Sequence, residues 1–162
     1  MTTTPRRLAV TRVRMAEYAV GSRPMRSNGL GSCVAVALLD PEASVGGLAH
    51  VMLPDSDRRE GDPPAKFADT AVPHLVREVV ARGGQRQRLS AKYAGGSDLF
   101  EFSGVGERIG ERNAEGVRRA LTEAGIPVDG CDVGGDYGRT VTLDPRAGTV
   151  RIETAAGDDR TL

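Results

Sequence analysis

Cys33 stands directly after a glycine-rich turn and directly before an apolar run, in the stretch SNGLGSCVAVALLD that begins at residue 27. A thiol in that position either fills space in the core or serves as a nucleophile at the mouth of a site. Nucleophilic attack needs the thiolate, so a nearby imidazole or backbone donors must lower the cost of losing the proton. Because cysteine is among the most buried residue types, the position alone leaves both interpretations open.

The chain has two histidines, and His50 is the one placed to assist Cys33. It lies in GGLAHVMLP, a predicted strand that one turn separates from the strand after Cys33, so contact between the two side chains is geometrically easy. His74 follows Pro73 on a predicted helix and has no polar company. An imidazole base is usually oriented by a third group, and the hydroxyl of Ser27 is the candidate. In so turn-rich a stretch, Ser27 is also explained as a plain turn residue.

The glycines before Cys33 suggest how a reacting carbonyl could be held. Gly29, Gly31 and Ser32 lead into the cysteine, and glycine lets backbone N–H groups turn toward a bound oxygen, as an oxyanion hole requires. These three residues are therefore candidates for oxyanion stabilisation or substrate positioning, with ordinary turns as the alternative. Cys131, in VDGCDVGG, is predicted to be a space-filling residue.

Composition excludes several classes of protein. The 162 residues carry 22 basic and 22 acidic side chains, so no global field favours nucleic acid. Aromatic residues are 4% of the chain and tryptophan is absent, so the core must consist mainly of Val, Leu, Ile and Ala. Two cysteines make neither a disulfide framework nor a zinc motif. No apolar run reaches about 18 residues, and the first residues lack the apolar region of a signal peptide. We expect a cytoplasmic protein with reduced thiols, no metal and no membrane insertion.

Hydrophobic periodicity predicts an α+β fold in one domain, residues 1–162, with loose termini at about 1–12 and 155–162. Two helices are predicted, one with Phe67, Ala71, Leu75 and Val79 on its apolar face and one over 109–121. Residues 21–29 are predicted as a turn and 54–64 as an exposed loop. Strands are predicted over 13–20, 32–40, 48–53, 88–96, 126–135, 139–144 and 149–154. Their order favours helices layered on a largely antiparallel sheet.

Five segments, in order and spacing, resemble the CheD family, the chemoreceptor glutamine deamidases of bacterial and archaeal chemotaxis. They are GLGSCVAVALLD, GGLAHVMLP, KYAGGSDLF, IGERNAEGVRRAL and DVGGDYGRTVTLDPRAGTVRI, and the likeness covers roughly residues 15–153. The resemblance implies that Cys33 is the nucleophile and His50 its histidine partner. The family's third residue is a threonine, and this chain has Ser27 there, which keeps the hydroxyl and loses the methyl.

The resemblance also implies a fold, an activity and partners. The fold would be a three-layer α/β/α sandwich, similar to the catalytic domain of glutamine-deamidating bacterial toxins. The activity would be cysteine-dependent conversion of specific glutamines to glutamate on the cytoplasmic helices of methyl-accepting chemotaxis proteins, with release of ammonia and no cofactor. The partners would be the chemoreceptor cytoplasmic domain and a CheC-like phosphatase, and we expect a monomer. Two alternatives remain: a regulatory module for that phosphatase with weak or no deamidase activity, and another thiol hydrolase such as an amidase or peptidase.

Overall fold

A computed structural model describes residues 9–56, 61–98 and 108–162, and in these ranges the chain forms ten strands and two α-helices. The helices are α1 (Ala68–Ala81) and α2 (Ile109–Glu123). The strands are β1 (Thr11–Arg12), β2 (Tyr18–Gly21), β3 (Met25–Leu30), β4 (Val34–Asp40), β5 (Val45–Val51), β6 (Ser90–Gly95), β7 (Val128–Val133), β8 (Arg139–Asp144), β9 (Thr149–Thr154) and β10 (Arg160–Thr161).

The strands form two five-stranded sheets. Sheet one has the order β1-β3-β8-β9-β10, and sheet two has the order β2-β5-β4-β6-β7. Neighbouring strands run antiparallel except for the parallel pairs β1–β3 and β6–β7. The fold class predicted from the sequence, α+β with mixed and largely antiparallel sheets and two main helices, is confirmed.

Strand β4 sets the layering, because all of its residues are buried. Alternate side chains of a strand point to opposite faces, and both faces of β4 are apolar. Ala35, Ala37 and Leu39 pack toward sheet one, while Val34, Val36 and Leu38 pack toward the helices. Three layers result, in the order helices, sheet two, sheet one, with both helices in a single layer. Each of the two interfaces contains one apolar core.

The two helices bury the faces that periodicity predicted. In α1 the buried side chains include Ala71, Leu75 and Val79, and in α2 they include Val117 and Leu121. Pro73 lies inside α1 rather than in its first turn, since the helix already begins at Ala68. Among the residues that the structure describes, no helix combines the length and apolar character needed to cross a membrane.

Four segments differ from the sequence predictions, and the first is Thr11–Arg12 of the predicted loose N-terminus, which pairs with β3 as β1. Residues 25–29, part of the turn predicted over 21–29, form β3 together with Leu30, and Met25, Ser27 and Leu30 face inward. Only Tyr18–Gly21 of the predicted strand 13–20 is extended, because Ala16 takes a left-handed φ of 62°. The C-terminal tail, predicted to be loose, pairs as β10 with β9, and Lys92 Nζ donates a 2.7 Å hydrogen bond to Leu162 O.

Parts of other predicted segments lie outside the described residues. These parts are residues 1–8 of the predicted loose N-terminus, residues 57–60 of the predicted loop and residues 99–106 of the stretch without a predicted element.

Candidate active site

The pairing of β4 with β5 places Cys33 and His50 on the same face of sheet two. Ala35 pairs directly with His50, and Cys33 lies two residues before Ala35. Side chains two residues apart on a strand share a face, so Cys33 and His50 are diagonal neighbours across the two strands. Cys33 packs against the core between the sheets, as this placement requires. Its side chain is half-buried, whereas His50 is 1% exposed.

Ser27 reaches the same place from the other sheet. It lies on β3, paired with Val141 of β8, and is completely buried. Its Oγ lies 2.7 Å from His50 Nδ1 and 2.7 Å from the carbonyl oxygen of Val13. A single buried hydrogen bond therefore joins the two sheets at the imidazole. Of the three residues that the sequence nominated as catalytic, Ser27 and His50 are in hydrogen-bond contact, and Cys33 lies diagonally across from His50 on the same face of the sheet.

The proton of the Ser27 hydroxyl decides the tautomer of His50. A serine hydroxyl has one proton to donate, and a carbonyl oxygen only accepts. The 2.7 Å approach to Val13 O is therefore a hydrogen bond donated by Ser27. Ser27 Oγ must then accept the Nδ1–H of His50 at its own 2.7 Å distance. This leaves Nε2 of His50 with its lone pair free, and Nε2 has no hydrogen-bond partner among the described residues.

Burial keeps both reactive groups uncharged at neutral pH. Burial lowers the pKa of His50 to about 4, because the imidazolium form loses hydration. The same cause raises the pKa of the Cys33 thiol above its ordinary value. The resting pair is thus a neutral thiol and a neutral imidazole. Such an imidazole is able to accept a proton as sulfur attacks.

The segment before Cys33 is held at successive carbonyl groups. Gly31 O accepts from Ser97 N at 2.9 Å, and Ser97 Oγ lies 3.0 Å from the same oxygen. Ser32 O accepts from Asn113 Nδ2 at 2.8 Å. Cys33 O accepts from Gly96 N at 2.9 Å. The candidate residues Gly31 and Ser32 are therefore half-buried and anchored, whereas Gly29 is exposed with a left-handed φ of 68°.

Sequence reasoning did not single out three of the groups at this site. They are the carbonyl of Val13, the hydroxyl of Ser97 and the amide of Asn113. Asn113 gave a visible signal, since it is a polar residue on the otherwise apolar face of α2. Ser97 follows a double glycine, which is equally typical of an ordinary turn. A backbone carbonyl such as that of Val13 leaves no trace in the residue types.

Other residues considered in the sequence lie apart from this site. His74 stacks edge-on against Tyr18 and faces Glu78 on α1. Cys131 is exposed on β7, so the prediction that it fills space is wrong. A groove of about 620 Å³ has Tyr93 and side chains of α2 among its lining residues, which include neither Cys33 nor His50. In residues 9–56, 61–98 and 108–162 no cluster of three or more His, Cys, Asp or Glu side chains is suited to hold a metal ion.

Comparison with known proteins gives the same family for most of the chain. The family model described as CheD chemotactic sensory transduction matches residues 52–154. The probable chemoreceptor glutamine deamidase CheD of Haloarcula marismortui is 43% identical over 98% of this chain and 91% of its own length. The chemoreceptor glutamine deamidase CheD of Thermotoga maritima is 43% identical over 91% of this chain and 94% of its own.

A further relative and one solved structure complete the comparison. The probable chemoreceptor glutamine deamidase CheD of Geobacillus kaustophilus is 47% identical over 86% of this chain and 88% of its own. The crystal structure of the Bacillus licheniformis hypothetical protein YfiH matches 73% of this chain and 49% of that one, at 14% identity and a TM-score of 0.45. That likeness is too low to support an inference. The family model and the three relatives, taken together, show that this chain belongs to the CheD family.

Proposed function

We propose that this chain is a cysteine-dependent deamidase that converts glutamine side chains of chemoreceptor cytoplasmic helices to glutamate and releases ammonia. The observation that supports this most directly is the hydrogen-bond chain from Val13 O through Ser27 to His50. It leaves Nε2 of the imidazole unprotonated, on the face of the sheet where Cys33 lies. The names of the relatives supply the substrate, since each is described as a chemoreceptor glutamine deamidase.

In the first half of the proposed reaction, His50 acts as a general base and then as a general acid. Nε2 accepts the thiol proton while Cys33 Sγ forms a bond to the carboxamide carbon of the glutamine. The carbonyl oxygen becomes an oxyanion, which N–H groups of the Gly31–Cys33 segment stabilise. Nε2 then gives its proton to the nitrogen as the C–N bond breaks. Ammonia leaves, and the glutamyl group stays on Cys33 as a thioester.

In the second half, water replaces the sulfur. Nε2 takes a proton from the attacking water, whose oxygen bonds to the thioester carbon. The C–S bond then breaks and the proton returns to Cys33. One amide and one water have become one carboxylic acid and one ammonia, and the protein is unchanged. This cycle needs no metal or organic cofactor.

The neutral resting state determines what the substrate must contribute. Since burial disfavours both the thiolate and the imidazolium, the ion pair forms only as the sulfur attacks. A receptor helix that covers the half-buried thiol excludes water, and the hydrogen bonds from the N–H donors to the oxyanion become stronger. We propose accordingly that the protein works as a monomer in the cytoplasm, on the receptor helices there. The CheC-like phosphatase stays a predicted partner.

The experiment that tests this function measures ammonia release from a purified chemoreceptor cytoplasmic fragment. We expect release with the wild type and with Cys131→Ala, and none above background with Cys33→Ala. His50→Gln should be at least about 100-fold slower, because both proton transfers are lost. Cys131→Ala is the matched control, as it removes the other thiol. Release that persists in Cys33→Ala would contradict the proposal.

The alternative as a binding module leads to a different result. A wild-type protein that releases no ammonia, yet still changes the activity of a CheC-like phosphatase, would favour that alternative. If wild-type protein instead hydrolyses small amides or peptides and spares receptor glutamines, the chain would be another thiol hydrolase.

A further inference from the structure

Asn113 holds the ends of the two strands that carry Cys33 and His50. Its Nδ2 donates a 2.8 Å hydrogen bond to Ser32 O, directly before Cys33. The same nitrogen donates a 2.9 Å hydrogen bond to Met52 O, just after β5. In the register of β4 and β5, where Val34 pairs with Val51, Met52 lies opposite Cys33. Asn113 thus bridges the two strand ends at Cys33, from the face of sheet two opposite the thiol.

Because the peptide group is planar, the hydrogen bond to Ser32 O also determines where the N–H of Cys33 points. In a trans peptide the carbonyl of one residue and the N–H of the next point in opposite directions, and no cis peptide bond occurs in the described residues. Ser32 O points toward α2, which packs on the helical side of sheet two. The N–H of Cys33 therefore points away from α2, toward the side on which the Cys33 side chain packs. That is the direction an oxyanion donor next to the sulfur requires.

Ser97 fixes the preceding peptide group in the same way. Its N–H donates to Gly31 O at 2.9 Å, while its hydroxyl, which has one proton, lies 2.7 Å from Tyr137 O and 3.0 Å from Gly31 O. Ser97 is completely buried. With Gly31 O held, the orientation of the N–H of Ser32 is determined as well. Two consecutive N–H groups, those of Ser32 and Cys33, are thus oriented by hydrogen bonds from Ser97 and from Asn113.

From these contacts we propose that Asn113 and Ser97 are positioning residues for the oxyanion site of the deamidation reaction. The inference rests on the proposed function and adds to it the groups that aim the backbone donors. Asn113 is fully buried, and its Oδ1 has no hydrogen-bond partner among the described residues. An apolar residue in that position would avoid this unsatisfied acceptor. Only a side chain with a hydrogen-bond donor can bind the carbonyl oxygens of Ser32 and Met52.

The test separates oxyanion stabilisation from general integrity of the site by using two reactions of one thiol. Deamidation passes through an oxyanion, whereas alkylation of Cys33 by iodoacetamide is a displacement at a saturated carbon and forms none. All variants carry Cys131→Ala, so that Cys33 is the only thiol present. Asn113→Asp keeps the shape of the side chain but removes the donor that faces two carbonyls. Ser97→Ala removes the hydroxyl and keeps the backbone hydrogen bond to Gly31.

We expect Asn113→Asp to lower kcat for deamidation by about 10- to 100-fold, below the loss seen when a whole oxyanion donor is removed. KM and the alkylation rate should stay within about threefold of the parent. Ser97→Ala keeps the backbone hydrogen bond to Gly31 and loses the hydroxyl that ties Ser97 to Tyr137, so it should lower kcat by about 3- to 10-fold. Asp40→Asn is the matched control. This variant replaces a carboxylate by an amide, the reverse of Asn113→Asp, at a fully buried residue at the far end of β4. We expect kcat not to change.

Each outcome either supports the proposal or overturns it. An unchanged kcat in folded Asn113→Asp would overturn the proposal, as would a parallel loss of deamidation and alkylation, which indicates a collapsed site. If Asn113→Asp fails to fold, Ser97→Ala decides by the same two rates. A wild-type parent that alkylates normally but does not deamidate would instead overturn the proposed function.

Discussion

The hydroxyl of Ser27 has one proton and two neighbours, and its position between them orients the base. Val13 O takes the proton, so His50 must present Nδ1–H to Ser27, which leaves Nε2 unprotonated and without a hydrogen-bond partner among the described residues. The resemblance to the CheD family implied a threonine in this position, and in this chain the hydroxyl of serine makes both contacts. The methyl group of threonine would restrict the rotamer further.

Removing the Ser27 hydroxyl should therefore damage catalysis more than stability. We expect Ser27→Ala to lower kcat for deamidation by about 5- to 150-fold, the rate equivalent of about 1–3 kcal/mol for a lost buried hydrogen bond. Steady-state kinetics on a receptor fragment measure this. Ser27→Thr is the control and should stay within about threefold of the wild type, because it keeps the hydroxyl. Equal losses in both variants would show that packing, and not the hydroxyl, limits the rate.

The neutral resting pair predicts how the reactivity of Cys33 depends on pH. With the pKa of the thiol raised and that of His50 lowered to about 4, neither group ionises between pH 6 and 8 to any large extent. The thiolate fraction, and with it the alkylation rate, should rise about tenfold per pH unit across that range. Iodoacetamide labelling of Cys131→Ala, followed by mass spectrometry, measures the rate. A flat profile would show a thiolate–imidazolium pair at rest, contrary to our description.

At the scale of elements, the site depends on a close approach between α2 and the end of β6. A Cβ built on Gly110 would lie 2.5 Å from both Gly96 O and Ser97 O, which is closer than such atoms approach one another. Gly95 is equally constrained, because its Cβ would overlap Cys33 O. Because Gly95 and Gly110 have no side chain, the first turn of α2 can pack against the segment that hydrogen-bonds to Gly31 and Cys33. Asn113, one turn further along, then reaches Ser32.

Adding one methyl group at Gly110 should therefore destabilise the protein, against the usual trend. In an unhindered helix, exchange of glycine for alanine stabilises by about 1 kcal/mol. Here the contacts are with backbone atoms, so we expect Gly110→Ala to lower the free energy of unfolding by about 2 kcal/mol or more. Urea denaturation measures the change. Glu111→Ala, at the neighbouring exposed position, should change it by less than about 0.5 kcal/mol. A Gly110→Ala protein as stable as the wild type would show that the approach is looser than described.

Elements with a clear period were predictable from the sequence, and those held by main-chain contacts were not. The β8–β9 hairpin and both helices follow from apolar spacing, and the pairing of β4 with β5 follows from two apolar runs joined by one turn. The sequence predicts a turn where β3 forms, because Ser27, Asn28 and Gly29 are typical turn residues. Its inward serine is buried only because His50 and Val13 satisfy its hydroxyl.

At the scale of the whole molecule, the site lies where the two sheets meet. Cys33 and His50 belong to sheet two and Ser27 belongs to sheet one, so the candidate triad exists only when the sheets are packed. Local sequence patterns place Cys33 near His50 and offer Ser27 as a candidate hydroxyl, but they explain Ser27 equally well as a turn residue. Ser97 and Asn113 reach the site only because distant segments pack together, since they lie far along the chain from the residues they bind. Local periodicity carries no information about such contacts.

Burial of His50 also links the stability of the whole fold to pH. The pKa of His50 is about 4 in the folded protein and near 6.5 when the chain is unfolded. Below pH 6.5 the unfolded chain therefore binds a proton that the folded protein does not, and stability falls until about pH 4. We expect the loss to reach up to roughly 3 kcal/mol. Urea denaturation of the wild type and of His50→Gln at pH 7 and pH 4.5 measures it, as the variant lacks this group. An equal pH dependence in both proteins would contradict the buried, neutral imidazole.

The central claim, that Cys33 carries out glutamine deamidation with His50, is tested most directly by peptide mass spectrometry of a chemoreceptor cytoplasmic fragment. The fragment is incubated with the wild type, Cys33→Ala, His50→Gln or Cys131→Ala and then digested. Hydrolysis of an amide to a carboxylic acid adds about one mass unit to the residue. We predict that gain at particular glutamines with the wild type and Cys131→Ala, and no gain with Cys33→Ala. The same gain with Cys33→Ala, or none with the wild type, would contradict the account.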